Sequence, residues 1–136
     1  MMINVLIVGS GGREHAFTWK ASQSDHVEKI FIAPGNAGTS LEPKAENVDI
    51  SASDIDALVS FAEKENIDLV IVGPEDPLVN GITDAFKKVG VNCFGPELLG
   101  AQLEGSKDFA KAFMEKHNIP TASYESFTDA DKAKKY

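Results

Sequence analysis

Three short stretches of the sequence combine glycine or proline with side chains able to hold a charged ligand, residues 9–14 (GSGGRE), 34–39 (PGNAGT) and 73–78 (GPEDPL), and a fourth, Gly95-Pro96, is a turn of the same kind without such side chains. In the first, Gly11 and Gly12 permit a tight turn and a close backbone approach, and the free N–H groups of a helix starting there would point at an anion. Arg13 fits that reading, because a cation in a first helical turn opposes the helix dipole unless a negative group sits there too. Glu14 is expected either to cap the helix or to stand near ligand hydroxyls, and His15 to pack beside Trp19. The second stretch offers Asn36, Gly38 and Thr39 as hydrogen-bonding groups, although Pro, Gly and Asn also make ordinary turns. The third fixes Glu75 and Asp76 between two prolines, where carboxylates can hold ribose hydroxyls or an amine, or simply cap a helix. An anion grip at one end and carboxylates at the other suit a phosphorylated sugar.

Other chemistries fit less well. A dinucleotide fingerprint needs a third glycine where Glu14 stands, and an acidic residue after the second strand where the chain reads Ala33-Pro34-Gly35-Asn36. A Rossmann-like NAD(P)-binding oxidoreductase domain is therefore the rival reading, and a stand-alone sugar-phosphate-binding module is another. Lys107 follows Glu104-Gly105-Ser106, but the spacing of a P-loop is absent, and spacing alone makes it a surface lysine. No nucleophile system and no metal-spaced Cys/His cluster is assembled, so no catalytic or metal-ligating residue is assigned. Cys93, Phe109 and Phe113 are expected in the core.

The elements that must position these groups alternate along the chain. Apolar, β-branched runs at Ile3–Val8, Val27–Ala33, Asn47–Ile50, Asp68–Val72 and Val91–Phe94 read as strands. Helical stretches lie at Arg13–Ser22 and Asp54–Glu65, and a third is marked by Val79, Ile82, Phe86 and Val89. This predicts an α/β fold: a doubly wound, mainly parallel, five-stranded Rossmann-like sheet with ligands beyond the carboxyl ends of its strands. A short helix is expected from Pro96 to Leu103, a domain edge at Gly105, and a helix at Lys107–His117. An extended stretch should follow at Ile119–Phe127, then a last helix capped by Thr128-Asp129 and still running at Tyr136.

The chain has 136 residues and a net charge of −8, so its overall field repels polyanions and nucleic acid is not an expected partner. Residues 41–90 carry 4 basic and 11 acidic side chains, against 3 of each in residues 1–40. The first forty residues are thus the least hostile place for an anion. No apolar run is long enough to span a bilayer and no basic segment precedes the first strand, so no membrane partner and a cytoplasmic location are expected, in keeping with a single cysteine.

The motifs VGSGGREHA (8–16), APGNAGT (33–39), VGPEDPLV (72–79), FGP (94–96), LEGSK (103–107) and HNIPTA (117–122) together resemble the phosphoribosylamine-glycine ligase family of the ATP-grasp superfamily. The resemblance spans nearly the whole chain. It implies an enzyme of de novo purine biosynthesis, an ATP-dependent carbon-nitrogen ligase joining 5-phosphoribosylamine and glycine into glycinamide ribonucleotide with release of ADP and phosphate. It places Gly11, Gly12, Arg13 and Glu14 at the ribose phosphate, and Asn36, Gly38, Thr39, Glu75 and Asp76 along the rest of that pocket. It raises Lys107 to an ATP phosphate contact. Residues 1–104 would be the substrate-binding, pre-ATP-grasp domain and 105–136 the first elements of a truncated ATP-grasp domain. Family members are roughly three times as long, so ATP and Mg or Mn would be held mainly by a missing C-terminal part, and this chain alone is expected to be inactive.

Overall fold

The structure, a computed structural model, describes residues 2–136. Its sheet is built from β1 (Ile3–Gly9), β2 (Val27–Pro34), β3 (Ala45–Asn47), β4 (Leu69–Val72) and β5 (Asn92–Phe94), all parallel, in the order β3-β2-β1-β4-β5. The helices are α1 (Gly12–Ser22), α2 (Ile55–Lys64), α3 (Glu75–Val79), α4 (Ile82–Lys88), α5 (Leu98–Gly105), α6 (Lys107–Lys116) and α7 (Ala130–Lys135), with one 3-10 turn at Thr39–Leu41. The chain winds outward from β1 to β3 and then returns to the other side of β1 with β4. The order of connection therefore reverses between β1 and β4, the place where open α/β sheets bind ligands.

Alternate residues of β1 and β2 face opposite sides, as the two-residue period of a strand requires. Leu6, Val8, Phe31 and Ala33 join Leu58 and Ala62 of α2 and Ile82 and Phe86 of α4 in one cluster. Val5, Ile7, Ile30 and Ile32 form the other, against Ala21 of α1. Both faces are covered, which is why the strands read as continuous apolar runs. Asp54 caps α2 by accepting from Ala57 N at 3.1 Å, and Ser106 caps α6 by accepting from Phe109 N at 3.2 Å.

Several expectations are corrected. The third strand ends where it was expected to begin: Ala45–Asn47 pairs with β2, Val48 N makes a last bond to Ile32 O at 2.8 Å, and Val48 and Ile50 pack on the first cluster. The single helix drawn through Val79–Val89 is two, because Asn80-Gly81 breaks it and Gly81 takes φ +85°, a left-handed conformation natural to glycine. The stretch Gly73–Leu78 is not a plain loop; Pro74 starts α3, and Pro77 falls in its first turn, where a missing N–H costs nothing. Ile119–Phe127, expected as an extended stretch, carries no regular element and is tied to α6 by Lys111 Nζ, which donates to Thr121 Oγ1 at 2.7 Å and Ala122 O at 3.0 Å. Phe109 and Phe113 are partly exposed rather than core, with Phe113 stacked on His117 at 4.4 Å. Trp19 is 53% exposed. Cys93 is half-buried against the first cluster, and that burial pushes its thiol pKa up.

Chain contacts divide the molecule into two compact units, residues 1–101 and 102–136. Among the described residues, no helix is long and apolar enough to cross a membrane. Leu58 is fully buried where α2 meets the sheet. Leu58→Ala should lower the unfolding free energy by about 2–5 kcal/mol, read as a shifted urea midpoint by circular dichroism with the slope unchanged.

Candidate functional site

The carboxyl ends of β1, β2 and β4 gather three of the four stretches singled out above. Gly35 N donates to Gly9 O at 3.1 Å and Gly73 N donates to Val8 O at 3.1 Å, so the turns after β2 and β4 are both hydrogen-bonded to the end of β1. Gly9 itself takes φ +128°, which lets the chain leave the strand sharply. Gly95, in the fourth stretch, packs on Leu78 and Thr83 and borders a shallow cavity beside β5 with Lys87 and Glu97.

Glu14 occupies the centre of this arrangement. It is 3% exposed, and its Oε2 accepts from Gly11 N at 2.5 Å, the one half of a capping box that a glycine N-cap allows. Its Oε1 is buried with no hydrogen-bond partner. A Cβ on Gly73 would lie 1.7 Å from that oxygen, and one on Gly9 2.7 Å from Glu14 Cγ. The carboxylate therefore fills room left by two glycines, one on each side of the reversal point. It does cap the helix, and the same burial explains why the third glycine of a dinucleotide fingerprint is missing here. Thr18 and Ser22, one and two turns further on, share its buried stripe, with Thr18 Oγ1 donating to Glu14 O at 2.8 Å and Ser22 Oγ to Trp19 O at 2.8 Å.

Arg13, one residue earlier, projects from the exposed face. Its Nη2 lies 3.6 Å from Glu75 Oε2, and both side chains are more than half exposed. The pair spans the gap between the first and third stretches, and an exposed contact of this length contributes little stability, so both groups remain available. Asp76 stands beside Glu75 in the first turn of α3, exposed.

The second stretch is held by its own side chains. Asn36 Nδ2 donates to Ser10 O at 2.9 Å, while its Oδ1 accepts from Gly38 N at 2.7 Å and Thr39 N at 3.0 Å. Thr39 is wholly buried; its Oγ1 accepts from Asn36 N at 2.8 Å and donates to Asn47 Oδ1 at 2.7 Å. In this conformation Thr39 shapes the turn and presents no surface. Asn47, at the end of β3, also donates to Asn36 O at 2.7 Å. His15, expected beside Trp19, has a partner in another element: its Nε2–H donates to Glu42 Oε1 at 2.8 Å. Sequence reasoning missed Asn47 and Glu42, since nothing in their local spacing distinguishes them from other polar residues. Gly73 was seen as a turn former, and its actual task, making room for Glu14, is a long-range contact. Lys107 is exposed in the first turn of α6, in the second unit. Among the described residues, no group of three or more His, Cys, Asp or Glu stands together to hold a metal ion.

Residues 3–104 match the family profile described as phosphoribosylglycinamide synthetase, N domain. The chain belongs to the phosphoribosylglycinamide synthetase family. Residues 105–136 match that family's ATP-grasp (A) domain. Relatives named phosphoribosylamine-glycine ligase are 60% identical in Vibrio vulnificus, 58% in Yersinia pestis and 56% in Escherichia coli O157:H7, each over 134 residues. That is 98% of this chain but 31% of each relative, so the chain spans about a third of their length. Among solved structures, the biotin carboxylase domain of a single-chain bacterial carboxylase is similar with a TM-score of 0.72 at 16% identity, covering 98% of this chain and 33% of that one. The biotin carboxylase domain of a thermophilic 2-oxoglutarate carboxylase gives 0.68 at 16%, covering 99% and 33%. These likenesses concern the fold.

The Glu14–Gly73 contact yields a prediction for this synthetase-family chain. Gly73→Ala should destabilise it by about 1–3 kcal/mol through forced displacement of Glu14, and combining it with Glu14→Ala should cost clearly less than the sum of the two. Urea unfolding of the four proteins measures this; strict additivity would mean the carboxylate does not lie under Gly73.

Proposed function

We propose that this chain is the substrate-binding part of a phosphoribosylamine-glycine ligase, and that the edge where β1 reverses to β4 holds 5-phosphoribosylamine. The observation that carries the reading is the joining of three turns into one rim, with the free N–H groups of α1 and Arg13 at one side and Glu75 and Asp76 at the other. Backbone N–H groups at a helix start suit a phosphate, and a pair of carboxylates suits ribose hydroxyls or an amine. Gly12 leaves the approach open, since a Cβ there would meet nothing within 4 Å, while one on Gly11 would crowd Glu14 Oε2 at 2.9 Å. Asn36, Gly38 and Thr39 shape the neighbouring wall.

In the proposed reaction a phosphoryl group passes from ATP to the carboxylate of glycine, giving an acyl phosphate and ADP. The amine nitrogen of the sugar then attacks the acyl carbon, phosphate leaves, and the nitrogen gives up a proton. This chain's part is to bind and orient the amine, because holding it in line with the acyl carbon removes much of the entropic cost of meeting. Residues 1–104 would do this, and 105–136 would open the ATP-grasp domain, with Lys107 touching ATP phosphate. A related carboxylase structure contains the magnesium salt of ADP, which supports ATP with Mg or Mn as partners of the whole enzyme. The described residues offer no fitting set of metal ligands. A cytoplasmic location accords with this biosynthetic role.

The NAD(P) reading loses support from the buried Glu14 at the third glycine position. Calorimetric titration with ribose 5-phosphate tests the proposal. The chain should bind it, and Arg13→Ala should weaken binding about tenfold, equivalent to ~1.4 kcal/mol. Equal affinity in the variant, or no binding by the unaltered chain, would remove the basis for the site.

A further inference from the structure

The imidazole of His15 lies between the first turn of α1 and the segment that follows β2, and none of the functions above uses it. Its Nε2–H donates to Glu42 Oε1 at 2.8 Å, and a carboxylate oxygen can only accept, so the hydrogen of that bond belongs to the ring. Glu42 closes the 3-10 turn Thr39–Leu41, and Gly38 opens it. The ring reaches both ends of that turn: a Cβ on Gly38 would sit 2.5 Å from His15 Cε1 and 2.7 Å from His15 Nδ1. Gly38 has φ −73° and ψ −43°, a conformation open to any residue. Its lack of a side chain therefore serves contact with the imidazole, not backbone freedom.

We propose that His15 is a positioning residue, which seats the Asn36–Thr39 turn against the start of α1 and so fixes one wall of the sugar-phosphate site. This rests on the function proposed above. Glu42 anchors the ring from one side, and Gly38 lies against its other edge. Asn36, held to Ser10 O, carries the placement across to the first turn. His15 neighbours Glu14 in sequence, so one helical turn sets two walls: Glu14 beneath Gly73, His15 beneath Gly38.

The test compares the unaltered chain with His15→Ala, His15→Gln, Glu42→Ala and the pair Gly38→Ala and Gly38→Ala/His15→Ala. Amide hydrogen exchange is read at Gly35, Gly38 and Thr39 and, as a core reference, at Ile7 and Ile32, alongside calorimetry with ribose 5-phosphate. His15→Ala and Glu42→Ala should each lower protection in the turn at least tenfold and leave the core amides unchanged. His15→Gln, which keeps a donor, should recover most of it. Gly38→Ala should impair the turn in the unaltered background and do so much less once the ring is gone. Binding should weaken in step with turn protection. Unchanged turn protection, or a fall shared equally by the core amides, would overturn the proposal. If the unaltered chain does not bind ribose 5-phosphate, the site assignment fails, and the exchange data still decide whether His15 seats the turn.

Discussion

A carboxylate placed almost wholly out of water is costly unless its surroundings compensate, and the first unit is organised around one. Glu14 receives a single hydrogen bond, from Gly11 N, and leaves Oε1 enclosed beneath Gly73. For it to fit, glycines are needed at 9 and 73, and α1 must be rotated so that position 14 faces the sheet. The helical period then buries Thr18 and Ser22 on the same stripe and turns Phe17 and Trp19 toward solvent. An amphipathic helix would ordinarily do the reverse. The hydroxyls buried on this stripe are satisfied by the helix's own carbonyls, Thr18 bonding Glu14 O and Ser22 bonding Trp19 O, while Ala21 packs on the second cluster.

The same rotation sets the polar faces around the rim. With Glu14 pointing inward, Arg13 falls on the exposed side facing Glu75, and His15 falls on the flank facing Gly38 and Glu42. Three consecutive residues thus address three different parts of the molecule, as an advance of about 100° per residue along a helix dictates. The sheet supplies the rest. Because the winding reverses between β1 and β4, the ends of these strands are neighbours without a crossover covering them, and the turns after them can form one edge.

Much of this was legible in the sequence where the signal is local. The strand runs, the Asp54 and Ser106 caps and the glycine-rich turn all follow from composition and spacing within a few residues, and the family motifs fixed the kinship. The reading went wrong where a distant contact overrides local preference. Trp19 looked like packing because large aromatic residues are usually buried, yet the demand of Glu14 for the inward face lies in two glycines, one of them 59 positions away. Val79–Val89 kept a helical period across Gly81, whose left-handed backbone breaks the helix without disturbing the apolar pattern. At the candidate site, residue types pointed to three turns that the fold joins into one rim, but not to the hydrogen bonds within them. Thr39 and Asn36 read as ligand-binding groups, whereas their hydrogen bonds are spent on the turn and on Asn47, a strand residue with no distinguishing neighbours.

The electrostatics narrow what this rim can hold. A chain with net charge −8 does not attract anions at long range, but ions screen charge beyond about 8 Å at physiological strength, so the local groups decide. Backbone N–H dipoles at the start of α1 act at contact distance and bring no net charge. Arg13 stands opposite Glu75, so a bare dianion would gain from the first and lose from the second. A ligand with its negative group at one end and hydroxyls or an ammonium at the other satisfies both sides. On the proposed reading the pairing of Arg13 with Glu75 therefore acts as a filter: free phosphate meets an opposing carboxylate that it cannot use, while an amino-sugar phosphate engages both partners and separates them.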